Sequence, residues 1–228
     1  MKKLALLFIL FLSIILPTVA SEVGDRSIPV EIAQLTDSLK QQFAPDKRVA
    51  LLDVDYSFAG KNVMLRGVTT STKAKVVLLK ELARKGYIVM DCLQVLPDEG
   101  GMEGKTYGII NVSVANLRVA PDFSSEMMTQ GLMGMPVRVL QRDGWVRIQT
   151  PDDYIAWVHR VGVYPVTKEE MTAWNDAEKI VVTAHYGFVY SEPSQNSQTI
   201  SDVVAGNRLK WDGTKGAFYK VVYPDGRE

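Results

Sequence analysis

The feature that most constrains this chain is an internal repeat in its second half. "VANLRVAPDFSSE", starting at Val114, resembles "VTAHYGFVYSEPSQNSQ", starting at Val182, with Pro121 matching Pro193 and Ser125 matching Ser197. "GMPVRVL" matches "GNRLKW", placing Gly134 on Gly206, Val137 on Leu209 and Val139 on Trp211. "WVRIQTPDDYIAWV" matches "FYKVVYPDGRE", placing Val146 on Tyr219, Ile148 on Val221 and Pro151 on Pro224. The offset is 72 residues in the early part and 73 in the later part, so one residue is inserted near Gly213 to Ala217. His185 falls, on this reading, where the first copy has Asn116, and a structural role in a strand or turn is assigned to it. A repeat at fixed period means two copies of one structural unit. Within each copy, short strand-like runs alternate with Gly, Pro, Asp and Ser turns, the pattern of a small all-β barrel.

The first copy continues past its Pro151-Asp152-Asp153 turn into "YIAWVHRV", which reads as the strand that finishes the barrel. The second copy reaches the equivalent turn at Pro224 and ends at the residue matching Ile155. The second barrel is therefore expected to be incomplete, and the chain to be a fragment or a truncated reading frame. Between the copies, "TKEEMTAW" opens with Thr167 and carries Glu170 three residues later, a capping box that predicts a short helix over 168–176.

The first half has a different texture. Ile28, Ile32, Leu35 and Leu39 recur at helical spacing, with Ser27 as a candidate cap. "RVALLDVDYSF" and "NVMLRGVTT" read as strands around a turn at Gly60. Ser71 caps a second helix carrying Ala74, Val77, Leu78 and Leu82, and Gly86 closes it. "YIVMDCLQVLP" reads as a third strand, and "DEGGMEG" at 98–104 as an acidic, glycine-rich linker. Helix, strand, strand, helix, strand makes an α+β unit with a small sheet under two helices.

At the N-terminus, Lys2 and Lys3 precede an apolar run from Leu4 to Leu16, followed by small residues at Thr18-Val19-Ala20. This is the pattern of a secretory signal peptide, and the run is short for a membrane span. Export is expected, to a periplasmic or cell-envelope location, with no membrane span after cleavage. Cys92 is the one cysteine, so no internal disulfide is expected and stability must come from packed cores. Lys and Arg balance Asp and Glu at 26 each, with no polybasic run, which argues against a nucleic-acid partner.

The order of elements in residues 21–104 resembles that of a BON-type module. Asn116-Leu117-Arg118, Gly144-Trp145 and the second, diverged copy resemble bacterial SH3-type (SH3b) domains. The run from 107 to 228, with "YSEP" and "YPDGR", resembles the front part of secreted NlpC/p60-type cysteine peptidases, dipeptidyl-peptidase VI-like enzymes. Those enzymes cut between γ-D-glutamate and the diamino acid of peptidoglycan stem peptides. The resemblance implies two SH3-type barrels serving a C-terminal catalytic domain that this sequence does not contain. It further implies that the first barrel helps to hold the free amino end of the substrate with a tyrosine and an acid. Tyr154 is the candidate tyrosine and Glu126 the candidate acid, since a carboxylate can pair with the ammonium of L-alanine. Many relatives place an acid just before the proline, where this chain has Ala120.

Other candidates for chemistry are weaker. Asp91-Cys92 has the dipeptide of such a nucleophile but lies inside an apparent strand, and a buried or half-buried structural thiol is expected. His159 and His185 are the only histidines, and their spacing does not spell a zinc site. Glu169-Glu170 belongs to a helix start and Asp98-Glu99 to the linker. Met127, Met128, Met133 and Met135 suit core filling or a domain–domain contact. Trp145 and Trp157 are expected in the barrel core.

The expected fold class is thus α+β: a signal peptide (1–20), a small BON-like α/β module with linker (21–104), a first SH3-type barrel (105–166), a linker helix (167–178) and a truncated second barrel (179–228). The expected function is that of an accessory, substrate-gating region of a stem-peptide hydrolase, with peptidoglycan stem peptides and the missing catalytic domain as partners. No catalytic residue, metal or cofactor is assigned to this chain. The alternative is a stand-alone periplasmic SH3b module that binds cell-wall peptides or a protein partner.

Overall fold

The computed structural model describes residues 28–228. The leader expected at 1–20 and the cap expected at Ser27 lie outside the described residues. The first helix, α1 (Val30–Phe43), begins directly after Pro29, whose fixed φ is suited to a helix entry. It buries Ile32, Thr36 and Leu39. Strands β1 (Leu52–Ala59) and β2 (Asn62–Thr69) form an antiparallel hairpin, turned at Gly60 with φ of 61°. Helix α2 (Thr72–Arg84) starts where the Ser71 side chain accepts a hydrogen bond from the Ala74 amide. It carries the chain over to β3 (Ile88–Val95), which pairs parallel to β2. The three-stranded sheet has order β1-β2-β3. Both helices pack on one face of it, through Ile32, Leu39, Ala74, Leu78 and Leu82 against Leu52, Val63, Leu65 and Leu93. The element order matches expectation, with β1 starting four residues later than "RVALLDVDYSF" suggests.

Cys92 departs from expectation: it is exposed, not buried. In β3 it is Leu93, 1% exposed, that faces the helices, so the alternation of the strand turns Cys92 to the sheet's other side. Ile88 and Met90 share that uncovered face. The glycine-rich segment 98–104 is also more than a linker. Met102 is 2% exposed in the core of the following barrel, and the Asp98 amide donates to the Leu140 carbonyl at 3.0 Å.

The SH3-like unit expected as the first barrel comprises β4 (Tyr107–Ile110), β5 (Val114–Arg118), β6 (Met127–Leu132), β7 (Pro136–Asp143), β8 (Trp145–Gln149), β9 (Ile155–His159) and β10 (Val163–Val166). They form one seven-stranded sheet of order β10-β4-β7-β8-β9-β5-β6. Its core holds Ile110, Leu117, Val137, Val139, Val146, Ile148, Ala156 and Val158. Helix α3 (Lys168–Asp176) has the expected capping box, with both Thr167–Glu170 hydrogen bonds formed. It docks Met171 and Trp174 on Ile109 and Val166.

The second copy folds into β11 (Lys179–Val181), β12 (Tyr186–Tyr190), β13 (Thr199–Val204), β14 (Arg208–Lys215) and β15 (Phe218–Val222). These form two separate sheets, β11-β14-β15 and β12-β13. The strand bounds repeat the first barrel at the expected offsets, and the inserted residue falls in the turn between β14 and β15, where Gly216-Ala217 replaces the single Gly144. Strand β12 lies over β5, so Asn116 corresponds to Phe188 and His185 to Ser113, which corrects the expected match. Hydrogen bonds and one apolar cluster join the two units. The Arg208 amide donates to the Met133 carbonyl at 2.9 Å, and Asn207 Nδ2 donates to the Ser113 carbonyl at 2.8 Å. Met133 joins Val203, Leu209 and Tyr223 in the second barrel's core. Of the four methionines, Met133 thus makes the domain contact, Met128 and Met135 pack against the first core, and Met127 is exposed.

Candidate functional site

The outward face of β5, β9 and β8 gathers aromatic and cationic side chains. Residues directly opposite one another in an antiparallel sheet share a face. Arg118 lies opposite Trp157, Trp157 opposite Arg147, and Trp145 opposite His159. The small and branched residues between them, Val146, Ile148, Ala156 and Val158, point into the core. Trp145 and Trp157 are therefore half-buried on the outer surface rather than in the barrel core. A barrel this narrow fills with side chains such as Val and Ala, and the indoles take the other parity.

At one end of this face, Phe123 from the β5–β6 loop closes over Trp145 and His159. Ring centroids are 4.9 Å apart for Phe123–Trp145, 5.1 Å for Phe123–His159 and 5.3 Å for Trp145–His159. With Asn116 and Arg118 these rings line a shallow cleft of about 180 Å³. Phe123 remains 67% exposed, so this aromatic surface is open to a ligand. In the middle of the face, the Arg147 guanidinium lies 5.2 Å from the Trp157 ring centroid and 3.8 Å from Asp53 of the first module. Burial lowers the Arg147 pKa, and the nearby Asp53 charge partly offsets this. Among the described residues its buried Nε has no hydrogen-bond partner.

Tyr154 stands at the other end, at the entry to β9. A tight turn fixes it: the Thr150 amide donates to the Tyr154 carbonyl at 2.9 Å, the Tyr154 amide donates to Thr150 Oγ1 at 3.1 Å, and Asp153 adopts φ of 66°. Its hydroxyl accepts from Arg48 Nη1 at 3.4 Å, and the guanidinium lies 5.8 Å from the ring centroid. Arg48 is paired with Asp46 at 2.6 Å. The side-chain and backbone hydrogen bonds from Arg48 hold the Asp46 carboxyl down at about 2. The first module is docked at this corner. The Ile155 amide donates to the Arg48 carbonyl at 2.6 Å, and Leu51, Leu96, Leu140 and Ile155 form a shared apolar cluster.

Glu126 is exposed at the start of the β5–β6 hairpin, where its carbonyl accepts from the Val119 amide at 3.0 Å. Among the described residues its carboxylate makes no ion pair and no hydrogen bond joins it to Tyr154. The two flank β5 from opposite sides, Glu126 leading into β6 and Tyr154 into β9. At the position before the proline, the Ala120 amide donates to Ser125 Oγ at 2.9 Å.

Sequence reasoning missed Phe123, Arg147 and the Asp46–Arg48 pair. The alternation in "WVRIQ" and "IAWVH" could have placed Arg147 and Trp157 on one face. Nothing local in the sequence joins Arg48 to Tyr154, which are 106 residues apart. Glu169 and Glu170 lie in the first turn of α3, and Asp98 accepts from the Gly101 amide within its own loop. His185 is exposed in the turn before β12. Among the described residues, no group of three or more His, Cys, Asp or Glu side chains is arranged to hold a metal. Among them, too, no helix is long and apolar enough to cross a membrane.

Residues 117–161, which run from β5 through β9, match the family of bacterial dipeptidyl-peptidase SH3 domains. No curated protein sequence matches the chain. Among solved structures, the chain is similar to an NlpC/P60 family protein from Bacillus cereus, with 21% identity over 53% of this chain and 52% of that one, at a TM-score of 0.43. It is also similar to an NlpC/P60 endopeptidase from Photobacterium damselae subsp. piscicida, with 14% identity over 56% of this chain and 33% of that one, at a TM-score of 0.41. The chain thus spans about half the length of the first and a third of the second.

Proposed function

We propose that this chain is the accessory SH3b region of an exported hydrolase of peptidoglycan stem peptides, and that its first barrel positions the peptide. The observation that carries the reading is the match of residues 117–161 to the dipeptidyl-peptidase SH3 domain, because that stretch contains both Glu126 and Tyr154. Tyr154 is held at a rigid corner by its turn and by Arg48, so its phenol is a preorganised polar handle. Glu126 is an exposed carboxylate, unpaired among the described residues, at the start of β6, and suited to an ammonium group. The Arg118–Trp157–Arg147 row offers π surface and positive charge to the carboxylates of a stem peptide. The α+β module, with its BON-like order of elements, braces the Tyr154 corner. Catalysis is assigned to a separate catalytic domain in this reading, with no role for Cys92.

The test is titration of the chain with an L-alanyl-γ-D-glutamyl-diamino-acid peptide, read by NMR shifts of residues 114–161. Binding is expected to weaken about tenfold in Tyr154→Phe, the scale of one hydrogen bond involving a charged group. Glu126→Gln should weaken it by a smaller factor that vanishes at high salt. Absence of binding at millimolar peptide, or binding indifferent to both substitutions, overturns the reading. The chain by itself is expected not to hydrolyse the peptide, and hydrolysis abolished by Cys92→Ala would contradict the assignment. The reading frame downstream of codon 228 distinguishes an accessory region from a stand-alone binding module.

A further inference from the structure

The cleft beside Phe123 lies at the opposite end of β9 from Tyr154. Tyr154 leads into the strand and His159 ends it, so about 16 Å of extended backbone separates the two places. The floor of the cleft is made of small or buried side chains. Ala115 and Val158 are buried there, and Gly162 ends the single 3-10 turn Arg160–Gly162 that follows β9. A Cβ at Gly162 would lie 2.9 Å from Val158 Cγ2 and 3.5 Å from Ala115 Cβ, so any larger residue would push on the side chains that form this floor. Two apolar side chains stand out as walls, Phe123 at 67% exposure and Val161 at 63%. The polar lining is Asn116, Arg118 and His159, and among the described residues no carboxylate lines the cleft. One Arg118 N–H donates to the Ser125 carbonyl, which steadies the guanidinium. Its other N–H groups make no hydrogen bond among the described residues. Asn116 Oδ1 is taken by Gln130 Nε2 at 3.0 Å, which leaves the amide N–H₂ as the free end. The acid that feels the Arg118 charge is Asp122, and its carboxylate is occupied by the Ser124 amide and hydroxyl at 2.7 Å each.

We propose that this cleft takes the free carboxyl end of a short peptide whose last side chain is alanine-sized. The carboxylate would sit on the Arg118 guanidinium with the Asn116 amide beside it, and the methyl group over the floor between Phe123 and Val161. Three observations favour this occupant. The free polar groups are donors, and an arginine beside no lining acid selects a carboxylate over an ammonium. The volume is about 180 Å³, whereas pockets that enclose a whole small molecule run to about 300–1,000 Å³, so the cleft has room for an end group and not for a sugar ring with its substituents. The floor, with Gly162 and Ala115, leaves depth for a methyl group and little more. The inference deepens the function proposed above, and only the direction of the peptide rests on that reading: amino end at Tyr154, carboxyl end here. An extended chain covers about 3.3–3.6 Å per residue, so four or five residues bridge the two.

The probe is N-acetyl-D-alanyl-D-alanine, titrated into the full chain and followed by NMR. Its amino end is blocked, so its binding and the binding of an amino end at Tyr154 succeed or fail separately. The expected result is saturable shifts at residues 115–118, 123 and 158–162 at millimolar ligand. The carboxamide of the same dipeptide should bind about tenfold more weakly, the scale of one hydrogen-bonded charge. Arg118→Gln should weaken the acid by about the same factor and the carboxamide not at all, because both changes remove one interaction. Phe123→Ala, at an exposed position, should weaken both ligands about fourfold, the scale of one buried methyl group. The L-alanyl-L-alanine form tells the source of the ligand: weaker binding than the D form supports a wall peptide, and tighter binding overturns the link to the stem peptide. Equal affinity for acid and carboxamide overturns the carboxyl-end site whatever Arg118→Gln does to the loop. So do shifts that map elsewhere, no shifts at about 10 mM dipeptide, or N-acetylglucosamine filling the cleft where the dipeptide does not.

Discussion

The two repeat units share one strand pattern, and among the described residues only the first has a strand at the β9 position; the contrast shows what that strand contributes. Strands β4 to β8 and β11 to β15 superpose in order and offset, including the glycines at 134 and 206, both with positive φ. In the first barrel, β9 ties the two ends of the sheet together, and eleven buried residues form its core cluster. The corresponding cluster in the second barrel holds four, one of them Met133 borrowed from the first. Within the described residues the second copy thus keeps the local strand pairing, while its buried cluster is smaller. Among the described residues the difference is the β9 strand itself and the packing that it brings.

The largest expected consequence is in local stability. Two or three large apolar side chains buried or left open at about 1.5–3 kcal/mol each decide much of a small domain's stability. Amides of residues 181–228 are therefore expected to exchange about a hundredfold faster, or more, than those of 109–166. Equal protection in the two regions would erase the distinction. A point substitution probes the same contrast more narrowly. Ile148→Ala, at a fully buried position, should cost about 2–5 kcal/mol, whereas Val221→Ala at the matching half-buried position should cost about 1 kcal/mol or less. Urea unfolding of the two variants reads the difference, and equal losses would mean that Val221 is as well packed as its counterpart.

The next effect concerns coupling. Asn207 is 0% exposed, donates to the Ser113 carbonyl and accepts from the Val204 amide at 2.9 Å. Asn207→Ala strands both partners, at a cost of about 1–3 kcal/mol. It should split one calorimetric transition into two, with the second barrel melting first. A single transition at an unchanged midpoint would show that this contact does not link the barrels.

Much of this architecture was legible in the sequence, for identifiable reasons. The repeat, its offset and the single insertion are carried by turn residues whose conformations leave few substitutes, such as Gly134 and Gly206. Helix α3 announced itself through Thr167 and Glu170, and α2 through Ser71, because capping is local. The candidate site was less legible. Large apolar rings suggest burial, yet strand parity is decided by which residues fit the barrel's interior, and Val146, Ile148, Ala156 and Val158 fit better than two indoles. The same parity exposed Cys92. Arg48 reaching Tyr154, Met102 entering a core from a glycine-rich loop and Asn207 locking two barrels are long-range contacts, invisible to spacing rules.

The smallest expected effect is a response to acid confined to the second barrel's final turn. Asp225 accepts from Asn111 Nδ2 of the first barrel at 2.9 Å and from Arg227 Nε at 2.7 Å. Partial burial pushes its pKa up, but the hydrogen bonds from Asn111 and Arg227 and the Arg227 charge outweigh that, and the net direction is down. A carboxyl whose folded pKa lies below its unfolded value of about 3.9 stabilises the fold fully above that pH. The contribution fades as pH falls through the lowered folded value. Because the group is largely solvated, the stabilisation is a fraction of a kcal/mol. The matching residue in the first barrel, Asp152, accepts from Thr150 Oγ1 inside its own turn, so its substitution leaves the contact between barrels intact. The gap in melting temperature between the chain and Asp225→Asn should hold steady from neutral pH to about pH 5 and close below about pH 4. A gap that persists undiminished in strong acid would remove Asp225 as the source of the effect and leave the neutral Asn111 contact to account for the docking of the turn.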